Sequence, residues 1–195
     1  MLARLRDNWV YGGALAALLL LALTPVLARG WPVALVLIWL QLPAYMLHQY
    51  EEHEDDRFRR FVNATIGGGR EVLTRLDTFV INIAGVWGVD AVAFVLAAQV
   101  RLGLGLIAVY LSLVNGLAHG VQAIALRRYN PGLATAILLF LPLGGVTLGV
   151  LAGSAGVTLA DHLLGLGTAL VIHAAIVARV LGRRRQLGLP GASPG

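Results

Sequence analysis

Cysteine and lysine are both absent from this 195-residue chain, and charged residues of any kind make up only 13% of it. Without cysteine, the chain has no disulfide framework, no thiolate metal site and no thiol nucleophile. With so little charge it cannot cover the surface of a water-soluble domain, since such domains are about one-quarter charged. The composition therefore excludes a soluble enzyme, a disordered chain and an ordinary nucleic-acid-binding module.

Apolar residues make up 58% of the chain, and the mean hydropathy is +0.78. They form long continuous runs instead of alternating with polar residues, which argues against a β-barrel. Since a helix needs about 20 apolar residues to cross a bilayer, the runs predict an all-α polytopic membrane protein. Its six predicted spans are residues 9–27, 31–47, 78–99, 102–126, 133–152 and 157–181. Residues 1–187 form one integral membrane domain in this interpretation, and residues 188–195 form a disordered tail.

Arginine provides all 15 basic residues, and its distribution predicts the topology. With six spans, only Arg29 and Arg101 fall on one side, and the other thirteen arginines share a side with both termini. The positive-inside rule places the arginine-rich side in the cytoplasm. We therefore expect a multi-pass protein of the cytoplasmic (inner) membrane with both termini cytoplasmic. The first run also has the pattern of a signal peptide, so the sequence leaves its cleavage open.

The connector between the second and third spans contains a predicted amphipathic helix at residues 54–66. Its apolar residues recur at helical spacing, and three arginines lie among them: Arg57, Arg59 and Arg60. Such a segment lies in the membrane interface and attracts anionic lipid. We expect either a lipid-seated connector or a gate for substrate.

Two glycine ridges predict close helix packing. Gly145, Gly149 and Gly153 share one face of the fifth span, and Gly116 and Gly120 share one face of the fourth. Small residues let helices approach closely, within a bundle or between protomers. The ridges therefore predict packing inside the bundle, with a homodimer as the alternative.

The end of the second span carries the densest group of ionisable residues, His48-Gln49-Tyr50-Glu51-Glu52-His53. Ionisable groups inside a membrane are costly and usually functional. At about 100° per residue, His48, Glu51 and Glu52 share one helix face, whereas His53 lies about 140° from His48. We therefore expect the first three residues to form part of a site and His53 to belong to the interface.

Three histidines on three different spans are predicted to meet at one depth. His48, His119 and His173 lie on the second, fourth and sixth spans, which run in the same direction, 6 to 10 residues before cytoplasmic arginines. A rise of about 1.5 Å per residue places them roughly 10–14 Å above the arginine layer. Imidazole and carboxylate suit zinc, iron or manganese. We therefore predict a metal site formed by these histidines and Glu52.

The order of these motifs resembles the HXXEE family of bacterial integral membrane proteins. The matching residues are His48-x-x-Glu51-Glu52, then Asn115-x-x-x-His119, then His173 in the last span. They cover most of the chain, from about residue 31 to residue 173. The resemblance implies a membrane metal-dependent enzyme and assigns no reaction to it.

These residues predict a membrane-embedded metal-dependent hydrolase that acts on a lipid or another hydrophobic substrate near the cytoplasmic leaflet. Zinc is the expected metal, with iron as the alternative, and it would activate water. Of Glu51 and Glu52, one would be the general base and the other a ligand or an orienting group. Asn115 would stabilise negative charge that develops on a substrate carbonyl.

Three other functions stay open at this point. A non-haem iron oxygenase or desaturase would use similar ligands, although such proteins usually contain more histidines than the five in this chain. A proton- or metal-coupled transporter would use a polar path across the membrane. This path would run from Glu51 and Glu52 through Asp90 to Asp161 and His162, with Asp90 paired to one of the last two. Asp90, Asp161 and His162 could instead hydrogen-bond to the metal ligands without binding the metal themselves. A haem protein would use paired histidines, but the neighbouring carboxylates disfavour it.

Overall fold

The computed structural model describes residues 1–189, and within them it contains helices and no strand. The α-helices are α1 (Leu2–Leu27), α2 (Val33–Trp39), α3 (Gln41–His53), α4 (Arg57–Thr65), α5 (Arg75–Asn82), α6 (Gly88–Gln99), α7 (Leu106–Leu126), α8 (Leu133–Thr135), α9 (Leu141–Ala152) and α10 (Leu159–Gln186). Short 3₁₀ or π-helical segments lie between them, at Glu54–Asp56, Ile83–Trp87, Leu102–Gly105 and Ala136–Phe140. The predicted disordered tail lies outside the described residues, apart from residues 188 and 189.

Six helical stretches in the described part of the chain are long and apolar enough to cross a membrane. They are Ala3–Leu27, Val33–Thr65, Arg75–Gln99, Leu102–Leu126, Leu133–Ala152 and Leu159–Gln186. The prediction of an all-α, six-span membrane protein is therefore confirmed. Several helices extend beyond the predicted spans, because a helix satisfies its own backbone hydrogen bonds and need not end where the hydrocarbon ends.

The predicted amphipathic helix is α4, which begins at Arg57 and not at residue 54. The chain turns sharply just before it, since Asp55 and Asp56 have positive φ angles of 50° and 59°. The apolar face of α4 packs against Val72 and Val180, so the protein itself covers much of this face. The three arginines form ion pairs with carboxylates nearby: Arg57 with Glu54, Arg59 with Asp56 and Glu71, and Arg60 with Asp55. Their attraction of anionic lipid stays a prediction.

Glycine allows close helix packing at particular positions of the bundle. A Cβ at Gly116 of α7 would lie 3.3 Å from Phe140, and one at Gly165 of α10 would lie 2.8 Å from the backbone of Leu106 in α7. Other glycines of the predicted ridges have no neighbour among the described residues within 4 Å of the Cβ position: Gly120, Gly145 and Gly149. Most of the ridge positions therefore do not serve packing inside this chain, and a homodimer through them stays a prediction.

Candidate metal centre

Glu52, near the end of α3, lies at the centre of a buried group of histidines. Its carboxylate oxygens lie 3.6 Å from Nε2 of His48, 3.5 Å from Nε2 of His119 and 3.0 Å from Nε2 of His53. None of these four residues exposes more than 7% of its surface. A buried carboxylate needs donors or cations around it, and here imidazoles surround it. We refer to Glu52, His48, His53 and His119 as the Glu52 cluster.

The backbone brings the cluster together from two spans. His48 and Glu52 are four residues apart on α3 and therefore neighbours on one helix face. His119 comes from α7, and its ring centroid lies 5.0 Å from that of His48. His53, the last residue of α3, approaches Glu52 from the other side. The expectation that His53 stands apart in the interface is wrong, because Glu52 lies between the directions of His48 and His53 and contacts both.

His48 and His119 are each held through the ring nitrogen that faces away from Glu52. Nδ1 of His119 lies 2.6 Å from Oδ1 of Asn130, whose Nδ2 donates to the His119 carbonyl at 2.9 Å. Nδ1 of His48 lies 2.9 Å from Oγ1 of Thr135. Nε2 of His48 has no hydrogen-bond partner among residues 1–189. Metal-ligating histidines are typically held in this way, with one nitrogen fixed by a hydrogen bond and the other free to bind.

Glu51 does not face the cluster but binds the start of the fifth span. Its carboxylate accepts hydrogen bonds from the backbone N–H groups of Ala134 and Thr135, at 3.1 and 2.7 Å, and from the hydroxyl groups of Thr135 and Tyr129. Helix N-termini have unpaired N–H groups and favour negative charge. The expectation that Glu51 and Glu52 both face the site is therefore wrong: four donors occupy Glu51, which positions Thr135 against His48.

The loop between the fourth and fifth spans, residues 127–132, supports the cluster in two further ways. Burial and the hydrogen bond to Glu51 raise the pKa of Tyr129 to about 12, so its hydroxyl stays a donor at neutral pH. Gly132 has a φ of +97°, and a Cβ there would lie 2.8 Å from Cε1 of both His48 and His119. Only glycine combines this backbone conformation with this contact.

Sequence reasoning did not identify Asn130, Thr135, Tyr129 or Gly132 as site residues. Asn130-Pro131-Gly132 has the composition of an ordinary turn, and a threonine in an apolar span is common. The sequence therefore contained no signal that separated these residues from a plain connector.

His173 lies apart from the Glu52 cluster. The three residues whose ligand atoms lie within 4.8 Å of one another in the described chain are His48, Glu52 and His119. Nδ1 of His173 instead donates to the carbonyl of Ala169 at 2.8 Å, one turn earlier on α10. The expected convergence of three histidines is wrong for His173, because equal depth in the membrane does not determine where a side chain points.

A cavity of about 230 Å³ extends from the cluster between α4, α5, α7 and α10. Glu52, His53 and His119 of the cluster line it, and so do His173 and Asn115. The sequence-predicted residues His173 and Asn115 are therefore close to the cluster without belonging to it. Phe58 of α4 also lines the cavity, with its ring centroid 5.5 Å from that of His53 and 6.1 Å from that of His119.

A second cavity, of about 260 Å³, has a polar lining. Its charged residues come from α1, the turn before α4 and the start of α5: Arg6, Asp7, Asp55, Asp56 and Arg75. His53 and Thr78 line both cavities. These two side chains therefore separate a largely apolar cavity from a polar one.

The remaining predicted residues lie away from the cluster. Asp161 caps α10 together with Thr158 and forms an ion pair with Arg101. Nδ1 of His162 lies 2.9 Å from the hydroxyl of Tyr110. Asp161 and His162 precede His173 on α10 by 12 and 11 residues. A helix rises about 1.5 Å per residue, so they lie roughly 16–18 Å from His173 along the helix axis.

Asp90 of α6 is only 1% exposed, and neither of its carboxyl oxygens has a hydrogen-bond partner among the described residues. The expected pairing of Asp90 with Asp161 or His162 is therefore wrong. Asp161 and His162 are each satisfied by another residue, so the three do not form a connected polar path.

The Glu52 cluster can hold a metal ion. Zinc binds nitrogen and oxygen ligands at about 2.0–2.2 Å, which separates ligand atoms in a tetrahedral site by about 3.3–3.6 Å. Nε2 of His48 lies 3.6 Å from Oε2 of Glu52, and Nε2 of His119 lies 3.5 Å from Oε1. One ligand atom from each of the three residues lies within 4.8 Å of the other two, so small side-chain adjustments would bring them to this spacing. Two histidines and one carboxylate form a ligand set of catalytic zinc sites and of non-haem iron sites.

Comparison with known proteins identifies a family. A family model described as a protein of unknown function with HXXEE motif matches residues 39–147, which is more than half of the chain. The matched region contains His48, Glu51, Glu52, Asn115 and His119, and ends before His173. No curated protein and no solved structure matches the chain significantly.

Proposed function

The chain belongs to the HXXEE family, and from this premise we propose that it is a membrane-embedded, metal-dependent hydrolase of a lipid or another hydrophobic substrate. The observation that carries the proposal is the buried Glu52 carboxylate between the Nε2 atoms of His48 and His119. Nε2 of His48 lies 3.6 Å from one oxygen of this carboxylate, and Nε2 of His119 lies 3.5 Å from the other. Glu52 and His119 line a largely apolar cavity, whereas His48 is fully buried. Zinc is the proposed metal, with iron as the alternative.

In this proposal His48, His119 and Glu52 would hold the metal. A bound zinc ion would polarise a substrate carbonyl and make water a nucleophile at neutral pH. Asn130 and Thr135 keep the two Nε2 atoms directed at the metal, because their hydrogen bonds fix the Nδ1 side of each ring. Glu51 thus positions Thr135, whereas Glu52 would bind the metal.

His173 is the residue we propose for proton transfer. Its Nδ1 donates to Ala169, so Nε2 is the basic nitrogen of the neutral ring. The ring lines the cavity, where Nε2 can take a proton from water and return it to the leaving group. Asn115, on the same cavity, is proposed to donate its amide N–H to the carbonyl oxygen of the substrate.

The site is proposed to lie at the cytoplasmic side of the inner membrane, because the arginine-rich loops lie at the same end of the spans. The absence of native cysteine allows a direct test with single-cysteine variants. Ser154→Cys and Ala155→Cys should react with an impermeant thiol reagent from outside sealed cells, whereas Arg70→Cys, at an exposed position of the connector between the second and third spans, should react only after lysis. Labelling of Arg70→Cys in sealed cells would show that the topology is the reverse.

A non-haem iron oxygenase is the second candidate, because two histidines and a carboxylate are also the ligand set of that class. A transporter has less support, since Asp90, Asp161 and His162 do not connect to one another.

Metal analysis of the full chain, purified in detergent without chelators, tests the proposal. We expect zinc at close to one ion per chain, lost in His48→Ala and His119→Ala. His162→Ala is the matched control, because this histidine binds Tyr110 and should not affect the metal. Iron in place of zinc would favour the oxygenase, and a metal-free wild-type protein would overturn both candidates.

A further inference from the structure

The cavity beside the Glu52 cluster has features that specify an occupant. We infer that it binds the hydrocarbon chain of an uncharged, single-chain lipid that carries a hydroxyl or amide N–H next to its carbonyl group. This inference rests on the proposed hydrolase function and names the substrate class for that site.

Most of the cavity wall is apolar. Its aliphatic lining includes Val62 of α4, Ile81 of α5, Leu111 of α7 and Val180 of α10, and fewer polar side chains, among them Glu52 and His119, share the wall. Ligand sites typically combine such walls with a few polar groups at one place. An amphiphile therefore fits with its chain among these residues and its polar group beside the cluster.

The volume favours one chain. At about 230 Å³, the cavity lies below the range of roughly 300–1,000 Å³ that is usual for sites of drug-sized ligands. A single hydrocarbon chain is narrow enough for this space, whereas two chains side by side would need the helices to separate.

The cavity reaches the lipid-facing surface of the bundle. Val177 and Leu181 of α10 line it and are 55% and 37% exposed. In a spanning helix, such apolar exposed residues face hydrocarbon. All α10 residues of the lining lie between positions 172 and 181, whereas Gly165, nearer the start of α10, packs tightly against Leu106 of α7. The cavity therefore lies along the second half of α10. A lipid chain can therefore enter sideways from the membrane.

The charges around the cavity disfavour an anionic headgroup. The described lining contains no arginine, and Glu52 is its only carboxylate. Nearby arginines are paired with carboxylates, such as Arg179 with Asp77 at 3.0 Å. Phosphate sites usually provide arginine or lysine, so an uncharged polar group is the better match.

Asn115 supplies a further constraint on that polar group. Its amide group contacts the side chain of Tyr45, but its Oδ1 atom is buried and has no hydrogen-bond partner among residues 1–189. A buried acceptor without a donor is destabilising. A hydroxyl or amide N–H on the ligand would satisfy it.

Photo-crosslinking of the purified full chain tests this inference. The probe is a monoacylglycerol with a diazirine in its acyl chain, and lysophosphatidic acid with the same chain is the comparison. We expect the first probe to label peptides of α4 and α10 in competition with unlabelled monoacylglycerol, and the second to label them about tenfold less. Equal labelling by both probes, or labelling outside the cavity only, would overturn the inference.

Filling the entrance gives a matched pair of variants. Val177→Trp should reduce labelling about tenfold. Val171→Trp, at a 68% exposed position of the same helix outside the cavity lining, should label like the wild type. Zinc content measured on the same samples shows that each variant has folded. Unchanged labelling of zinc-loaded Val177→Trp would overturn the proposed entrance.

The same samples separate the two proposals. Zinc without cavity labelling would overturn the lipid inference and leave the metal site intact. Cavity labelling without any metal would overturn the hydrolase and leave a lipid-binding protein.

Discussion

The Glu52 cluster and the group around Asp161 both combine a carboxylate with histidine in membrane-spanning helices. They differ in whether the polar atoms have hydrogen-bond or ion-pair partners within the protein. At Asp161, an arginine and a helix cap satisfy the carboxylate, and the neighbouring His162 binds Tyr110. At Glu52, no arginine is in contact among the described residues, Nε2 of His48 has no hydrogen-bond partner, and a cavity opens beside the group. The first group is complete by itself, whereas the second has room and free ligand atoms for a bound species.

The difference shows how to separate stabilising from functional polar groups in a membrane bundle. Buried polar groups are normally satisfied, so an unsatisfied one indicates a missing partner. Composition does not make this distinction, because both groups contain an acidic residue directly followed by histidine. The adjacent residues Glu51 and Glu52 repeat the contrast within one helix turn: the first is fully satisfied by protein donors and the second by imidazoles that can also bind metal.

The largest expected effect comes from exchanging the two carboxylates for amides. Glu52→Gln should lower zinc affinity by more than about 100-fold, because it removes a ligand. Replacing a residue that only hydrogen-bonds to a ligand typically lowers metal affinity by 10–100-fold. Asp161→Asn should leave zinc affinity unchanged and lower the thermal stability. Competition with a chromophoric chelator measures the affinity, and an equal loss in both variants would remove the distinction between the two groups.

The next effect concerns the hydrogen bond that holds His119. Asn130→Ala should lower zinc affinity by about 10–100-fold, since the ring loses the partner that fixes its orientation. Asn8→Ala is the control, because Asn8 lies near the start of the chain and its amide donates to the Arg4 carbonyl. Full zinc affinity in Asn130→Ala would show that the loop does not orient the ligand.

Glu51→Ala sharpens the contrast between the two glutamates. It leaves the N–H groups of Ala134 and Thr135 without their acceptor, so we expect the free energy of unfolding to fall by about 1–3 kcal/mol. Zinc should still bind to the folded variant, with a smaller loss than in Glu52→Gln. Differential scanning fluorimetry with and without zinc measures both effects. Complete loss of zinc at unchanged stability would instead make Glu51 a ligand.

The smallest expected effect on the metal is that of His173→Ala. Since His173 is outside the group of ligand atoms, zinc affinity should change by less than about tenfold, below the loss that a ligand-supporting residue causes. The measurement is the same chelator competition, with His119→Ala beside it. If the two variants lost equal affinity, His173 would be a third histidine ligand.

Much of the architecture was predictable from the sequence, because it depends on local properties. A run of apolar residues long enough to cross the bilayer forms a helix that satisfies its own backbone, so six runs predict six spans. The His48–Glu52 pairing was likewise predictable, since residues four apart share a helix face.

The composition of the site was only partly predictable. His48, Glu52 and His119 were identified correctly as neighbours, whereas His173 was grouped with them on depth alone and His53 was excluded on angle alone. Asn130 and Thr135 could not be found, because their partners are residues 11 and 87 positions away in the chain.

The sequence by itself determined the number of spans, the asymmetry of arginine and the residue types available for a site. The tertiary structure alone decided which of those residues meet. Rotation of each helix about its axis sets the direction of its side chains, and this rotation follows from packing contacts such as Gly116 on Phe140 and Gly165 on Leu106. Those contacts join distant parts of the chain, so a pattern read within one helix cannot specify them. In the folded bundle, Glu52 lies beside His119, Glu51 binds the start of the fifth span, and His173 lines the cavity outside the group of ligand atoms.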